Sequence, residues 1–156
     1  MKKGLWFMLA VAVILLDQAS KYWASQTLML YHPEPVLPSL NVTLAYNTGA
    51  AFGFLRDAGD WSRWAFFVFG SVMSIILMVA IRRTSSSKHG QLLAFSFILG
   101  GAIGNLIDRI FLGHVVDFIE VYYRSFYWPV FNLADSAICL GAFVLLFQGM
   151  FGHDAS

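Results

Sequence analysis

The chain is short of charge. Only 12% of its 156 residues are Asp, Glu, Lys or Arg, against about a quarter in an ordinary soluble domain. Hydrophobic residues make up 58%. A water-facing surface cannot be built from that balance, so the composition points to an integral membrane protein of one domain, residues 1–156. Cysteine is nearly absent. Cys139 stands alone, cannot form an intramolecular disulfide, and lies among Ala137, Ile138 and Leu140, where a packing role is expected. His32, His89, His114 and His153 are isolated, with no metal-ligand spacing, so no zinc site is expected. No basic block is present and the net charge is +1, which argues against a nucleic-acid partner. The chain also lacks a Ser-His-Asp spacing, an H-E-x-x-H pair and a Gly-rich phosphate loop. Proline is missing from every apolar run: Pro33, Pro35, Pro38 and Pro129 all fall between them.

What remains is four apolar runs, at about 4–24, 62–82, 91–110 and 132–151. Each is near the ~20 residues that a helix needs to cross the hydrocarbon core. Backbone polar groups in lipid must be satisfied within the segment, so helices are predicted. The first run, preceded by Lys2-Lys3, also has the outline of a cleavable signal peptide. Two features favour a retained helix. Asp17 and Lys21 extend it at i, i+4 with the acid first, the favourable order for a helical ion pair. No small-x-small cleavage site precedes Ala24.

Orientation follows from the basic residues. Lys2 and Lys3 precede the first helix, and Arg82, Arg83 and Lys88 crowd the connection between the second and third. In an up-down bundle these regions share one side, and the positive-inside rule makes that side cytoplasmic. Both termini are then cytoplasmic, and residues 25–61 and 111–131 lie outside. The polar residues that interrupt the apolar runs gather at the outer ends: Asp17 and Lys21, then Asn105, Asp108 and Arg109, then Asn132 and Asp135. Asp117 lies between the last two helices.

The outer segments have patterns of their own. Asn41–Tyr46 is strand-like, Asn47-Thr48-Gly49 reads as a turn, and Ala50–Phe54 follows, so a small sheet on the membrane is expected. Val115–Pro129 is rich in aromatics and reads as an interfacial belt or a short helix lying flat.

Gly101, Gly104 with Asn105, and Asp108 share one helical face, and Gly100 with Gly104 lets another helix approach closely. Asn132 and Asp135 form a second polar face at i, i+3. Each residue also has a plainer reading. Asn132 or Asp135 can cap a helix, and Asp117 can be a loop acid at the interface. Asp108 and Arg109, adjacent and therefore pointing apart, can anchor a helix end. Asp17 with Lys21 can be structural, and Asn47 can simply turn the chain. Against these readings, Asp117 and Asp135 are carboxyls in apolar surroundings, where they are costly unless used. Two acids sharing one proton can activate water: the ionised one takes a proton from it, and the protonated one hydrogen-bonds the scissile carbonyl.

Five motifs occur in order: Asp17-Gln18-Ala19-Ser20-Lys21, Asn47-Thr48-Gly49-Ala50-Ala51-Phe52, Gly104-Asn105-Leu106-Ile107-Asp108-Arg109, Val115-Val116-Asp117-Phe118 and Phe131-Asn132-Leu133-Ala134-Asp135-Ser136. With four spans, they closely resemble the bacterial lipoprotein signal peptidase (signal peptidase II) family. The resemblance implies an all-α membrane protein of four transmembrane helices with a small extracytoplasmic β-sheet. It implies an aspartyl endopeptidase of the inner membrane, without cofactor, that cuts prolipoproteins before a diacylglyceryl-modified cysteine at the outer face. Asp117 and Asp135 match its catalytic dyad. Asn47, Asn105, Arg109 and Asn132 match polar residues lining its site, and Asp17 matches the acid of its first motif, a structural or substrate-supporting position; Lys21 and Asp108 are expected to support the site beside it. The family is the target of the cyclic peptide globomycin. Lateral entry of a membrane-embedded signal peptide suggests a monomer whose partners are that substrate and membrane lipids. Two rivals fit less well. A presenilin-type protease carries a Gly-x-Gly-Asp stretch that this chain lacks, and a small transporter places its acids near the midplane at broken helices.

Overall fold

The computed structural model describes residues 3–48 and 61–151. Its helices are α1 (Lys3–Thr27), α2 (Trp61–Arg83), α3 (His89–Phe111) and α4 (Leu133–Phe151). All four are long and apolar enough to cross a membrane. They coincide with the four expected spans to within about a turn, because uninterrupted apolar runs have no other way to satisfy their backbone in lipid. Met8, Leu15, Phe69, Ile75, Phe143 and Leu146 are exposed along the helices, a belt suited to acyl chains rather than water.

α3 packs against all three other helices. Its glycines permit this. A Cβ added at Gly100 would lie 2.7 Å from Val13 Cβ and 2.8 Å from the Ala10 carbonyl oxygen, and one at Gly101 would collide with the Ala134 carbonyl. Backbones therefore meet where side chains would hold them apart. At one end of the bundle Trp6, Leu77, Ile81, Leu92 and Leu99 form an apolar cluster. At the other end Ala24 of α1 and Leu28, just past its last turn, receive Leu44, Val116 and Phe118.

Those last three residues belong to a sheet of β1 (Glu34–Leu37), β2 (Leu40–Asn47), β3 (Val115–Tyr123) and β4 (Phe126–Tyr127), antiparallel and in that spatial order. Phe118 also meets Trp23 edge-on at 6.3 Å, which seats the sheet on the end of α1. β2 lies where the strand is expected, but its partners differ from expectation. Ala50–Phe54, with Gly49 of the predicted turn, lies outside the described residues. Asn47 itself ends β2, paired with Val115, rather than turning the chain. Val115–Pro129 is not a flat helix. It is β3 and β4, turned at Arg124 (φ 55°), with Tyr122 and Tyr127 stacked at 5.3 Å. The physical reason is that its β-branched and aromatic residues find an open edge on β2.

Candidate active site

The two acids singled out in the sequence are set by different elements. Asp135 stands three residues into the start of α4. Its backbone N–H donates to Asn132 Oδ1 (2.9 Å), and its Oδ2 accepts from the Asn132 backbone N–H (3.3 Å). This is a capping box closed on a carboxylate. The helix-cap reading is therefore correct for both residues and incomplete for both. Asn132 also donates from Nδ2 to Asp117 Oδ1 (2.6 Å), and Asp135 Oδ1 accepts from Asn105 Nδ2 (2.8 Å).

Asp117 lies on β3 opposite Ala45 of β2. Asn47, two residues on, donates from Nδ2 to Asp117 Oδ2 (3.1 Å). Asp117 is only 2% exposed. Its burial, and then the charge of Asp135, push its carboxyl up to about 7; the hydrogen bonds from Asn47 and Asn132 and the charge of Lys21 oppose this only in part. An acid held near neutrality beside a second acid is the electrostatic arrangement that proton sharing requires.

Behind the pair lies a buried ionic cluster. Lys21 Nζ reaches Asp17 Oδ2 (2.8 Å), Asp108 Oδ2 (2.9 Å) and Asn105 Oδ1 (2.9 Å). Gln18 Nε2 donates to Asp108 Oδ1 (2.9 Å), the Gly104 carbonyl (3.2 Å) and Asp17 Oδ2 (3.2 Å). Asp17 Oδ1 accepts from Ala134 N–H (2.9 Å), and Asp108 Oδ2 accepts from Val116 N–H (3.1 Å). Asp17, Lys21 and Asp108 are all buried. Removing one member of such a set strands the others and costs about 3–5 kcal/mol. Arg109 turns away from Asp108, as adjacency on a helix requires. Its Nη1 donates to the Asn105 carbonyl (3.0 Å), and its guanidinium lies 5.4 Å from the Phe66 ring centre.

A cleft of about 490 Å³ opens beside Asp135. Asn47, Arg109, Trp128, Pro129, Val130, Phe131, Asp135, Ser136 and Cys139 line it. Every residue proposed for the site from sequence is thus in the cleft wall or in the network immediately behind it. Cys139 departs from expectation. It is exposed on the cleft rather than packed, because it lies one turn beyond Asp135 on a face of α4 that no helix among the described residues covers. Gln18 is a participant that sequence reasoning passed over. Its signal was an amide next to Asp17 inside an apolar run, where polar groups need partners.

Comparison with known proteins follows the same lines. The sequence model described as signal peptidase (SPase) II matches residues 9–151. A lipoprotein signal peptidase of Cellvibrio japonicus is 52% identical over 141 residues, covering 90% of this chain and 83% of that one. One from Acinetobacter baumannii is 49% identical over 147 residues, covering 94% and 84%. Among solved structures, a bacterial membrane enzyme determined by the in meso method at 1.9 Å resolution superposes with a TM-score of 0.84 at 31% identity, covering 96% of this chain and 95% of its own.

Proposed function

The chain belongs to the signal peptidase II family, and on that premise we propose how its own residues carry out the reaction. It is a multi-pass bacterial membrane protein and an aspartic endopeptidase that removes signal peptides from prolipoproteins. Asp117 and Asp135 are its catalytic pair. The observation that carries this assignment is Asn132, which hydrogen-bonds Asp117 through its side chain and Asp135 through its backbone and side chain.

Asp117, raised to about 7 by burial and by Asp135, holds the shared proton and donates a hydrogen bond to the scissile carbonyl. Asp135, whose two oxygens already accept hydrogen bonds, takes a proton from water. The hydroxide adds to the carbonyl carbon while the Asp117 proton moves to the carbonyl oxygen. The resulting tetrahedral diol collapses. The C–N bond breaks, the amine leaves with the proton held by Asp135, and the second hydroxyl returns its proton to Asp117 as the carboxylic acid product forms. Both acids return to their starting states. Asn47 and Asn105 hold the carboxyls in place, and Arg109 lines the cleft as the nearby cation.

The bond cut is the one before the diacylglyceryl-modified cysteine. The acyl chains stay in lipid along the exposed apolar helix faces, and the peptide reaches the cleft. The enzyme works as a single-domain monomer in the inner membrane, with both termini cytoplasmic and the site at the outer face. This orientation is supported by Lys3, whose Nζ donates to the Thr84 carbonyl beside Arg82 and Arg83 at the opposite end from the site. Positive residues on that side mark it as cytoplasmic.

The test is cleavage of a synthetic diacylglyceryl-modified prolipoprotein by the purified protein in bilayers, read by mass spectrometry. Cutting immediately before the modified cysteine, blocked by globomycin, is expected. Equal cutting of the unlipidated precursor would remove the lipid from the recognition.

A further inference from the structure

The buried cluster has a symmetry that the catalytic pair does not use directly. The residue before each aspartate gives its backbone N–H to a buried carboxylate: Val116 to Asp108 Oδ2 (3.1 Å), and Ala134 to Asp17 Oδ1 (2.9 Å). Val116 is on β3 and Ala134 on α4, while Asp108 is on α3 and Asp17 on α1. The two carboxylates meet on one ammonium, Lys21 Nζ, at 2.8 and 2.9 Å. We propose that Lys21 is a positioning residue for both catalytic aspartates: one cation, through Asp17 and Asp108, fixes the backbone immediately ahead of each. The inference rests on the assignment of Asp117 and Asp135 as the pair.

The coordination of Lys21 supports the role. An ammonium has three donors and no acceptor, and here it has three acceptors: Asp17 Oδ2, Asp108 Oδ2 and Asn105 Oδ1. The third sets the sense of the Asn105 amide. With Oδ1 accepting from Lys21, Nδ2 is the atom that faces Asp135 Oδ1 at 2.8 Å. A third arm therefore reaches the pair, this time at a carboxylate oxygen. Lys21 is 3% exposed, Asp17 0% and Asp108 3%, so water cannot replace a missing arm. None of the three lines the cleft. Their effect on the reaction passes through the backbone they hold.

Arginine is a poor substitute, since its planar fork cannot address three acceptors set around one point. A displacement of about 1 Å at a reacting group is enough to cost ~100-fold in rate. The expected signature is a fall in kcat with KM retained.

The experiment measures kcat and KM per folded molecule for the full chain in bilayers, with folding followed by gel filtration and helical circular dichroism. The variants are Lys21→Met, Lys21→Arg, Asp17→Asn and Asp108→Asn. The two Asn variants keep side-chain size and an acceptor oxygen, so they carry the test where Lys21→Met does not fold. The expected result is a kcat about 100-fold lower in Lys21→Met and at least tenfold lower in each Asn variant. KM stays within about threefold, and Lys21→Arg gives no rescue. Wild-type kcat per folded molecule in Lys21→Met or in both Asn variants overturns the proposal. Loss of folding in all of them overturns it too, by assigning Lys21 to stability alone. Asp117→Asn and Asp135→Asn, run alongside, separate the two readings. If they are inactive while Lys21→Met is not, only the positioning role fails; if they remain active, the catalytic pair itself is wrong.

Discussion

Asp135 and Asn132 hold each other by two reciprocal hydrogen bonds, at 2.9 and 3.3 Å, so one carboxylate starts a helix and faces the cleft at once. The two roles can be separated by substitution. Asp135→Asn keeps an oxygen for the capping box and removes the proposed base, so cleavage should fall by about 10²–10⁴-fold with thermal stability almost unchanged. Asp135→Ala loses both and should unfold more easily by a further ~0.5–2 kcal/mol. Thermal unfolding in detergent beside a cleavage assay measures the difference. Equal melting of the two variants would show that the box contributes nothing.

Asp117 sets a pH limit. Its folded carboxyl titrates at about 7 instead of the ordinary 3.8. In its proposed role as proton donor it is competent below that value, so kcat/KM should fall tenfold per unit as pH rises beyond about 7. Linkage has the same sign. The folded state binds this proton more tightly than the unfolded one, so Asp117 favours folding at low pH and that contribution is lost as pH rises from about 4 to about 7. Asn47→Ala removes a hydrogen bond that favours the ionised form. It should move the alkaline limb to higher pH. A pH–rate profile of both proteins is the check, and a limb that stays put in the variant counts against Asp117 as its source.

Gly104 is fixed by what lies above it. A Cβ there would stand 2.5 Å from Asp17 Oδ2 and 3.5 Å from Ala134 Cβ. Overpacking of this kind costs about 1–3 kcal/mol. Gly104→Ala should therefore lower the melting temperature and reduce turnover, because the carboxylate it displaces holds Ala134. A Gly104→Ala protein as stable as wild type would mean that α1 and α3 separate without cost.

Trp128 borders the cleft, and Tyr127 stacks on Tyr122. If these rings close over bound substrate and exclude bulk water, the double change Tyr127→Ala, Trp128→Ala should lower kcat/KM about fivefold to tenfold, the worth of an aromatic contact of about 1 kcal/mol. Unchanged kinetics would remove any closing role from this edge of the sheet.

How far the chain can be read before folding depends on the range of the interaction. The helices are legible because lipid leaves an apolar run of about twenty residues one choice. The Asp17–Lys21 pair is legible because i, i+4 is a local relation, and the structure places the two 2.8 Å apart. β3 is not legible as a strand. Val115, Val116, Asp117 and Phe118 are all buried, so the alternation that marks a half-exposed strand is missing. Its partner is also remote, with Ala45 opposite Asp117. The hydrogen bonds from Val116 and Ala134 to Asp108 and Asp17 belong to the same class. Ala134 and Asp17 lie 117 residues apart, beyond any sequence window, and Val116 and Asp108, only eight apart, meet through a chain reversal between α3 and β3 that the pattern does not mark. Cys139 illustrates the reverse error. An apolar run says that a residue is in a helix, not which way that helix will face.

The pairing of β2 with β3 has a consequence for biogenesis. Residues 40–47 are synthesised long before 115–123, and α2 and α3 lie between them in the chain. β2 must therefore wait with one edge open while a helical hairpin is made and inserted, a contact of high sequence separation and correspondingly slow closure. Until then Asp117 has no Asn47, and it has no Asn132 until the start of α4 follows. On the proposed assignment the catalytic pair is complete only once α4, the last helix made, brings Asp135 to Asp117.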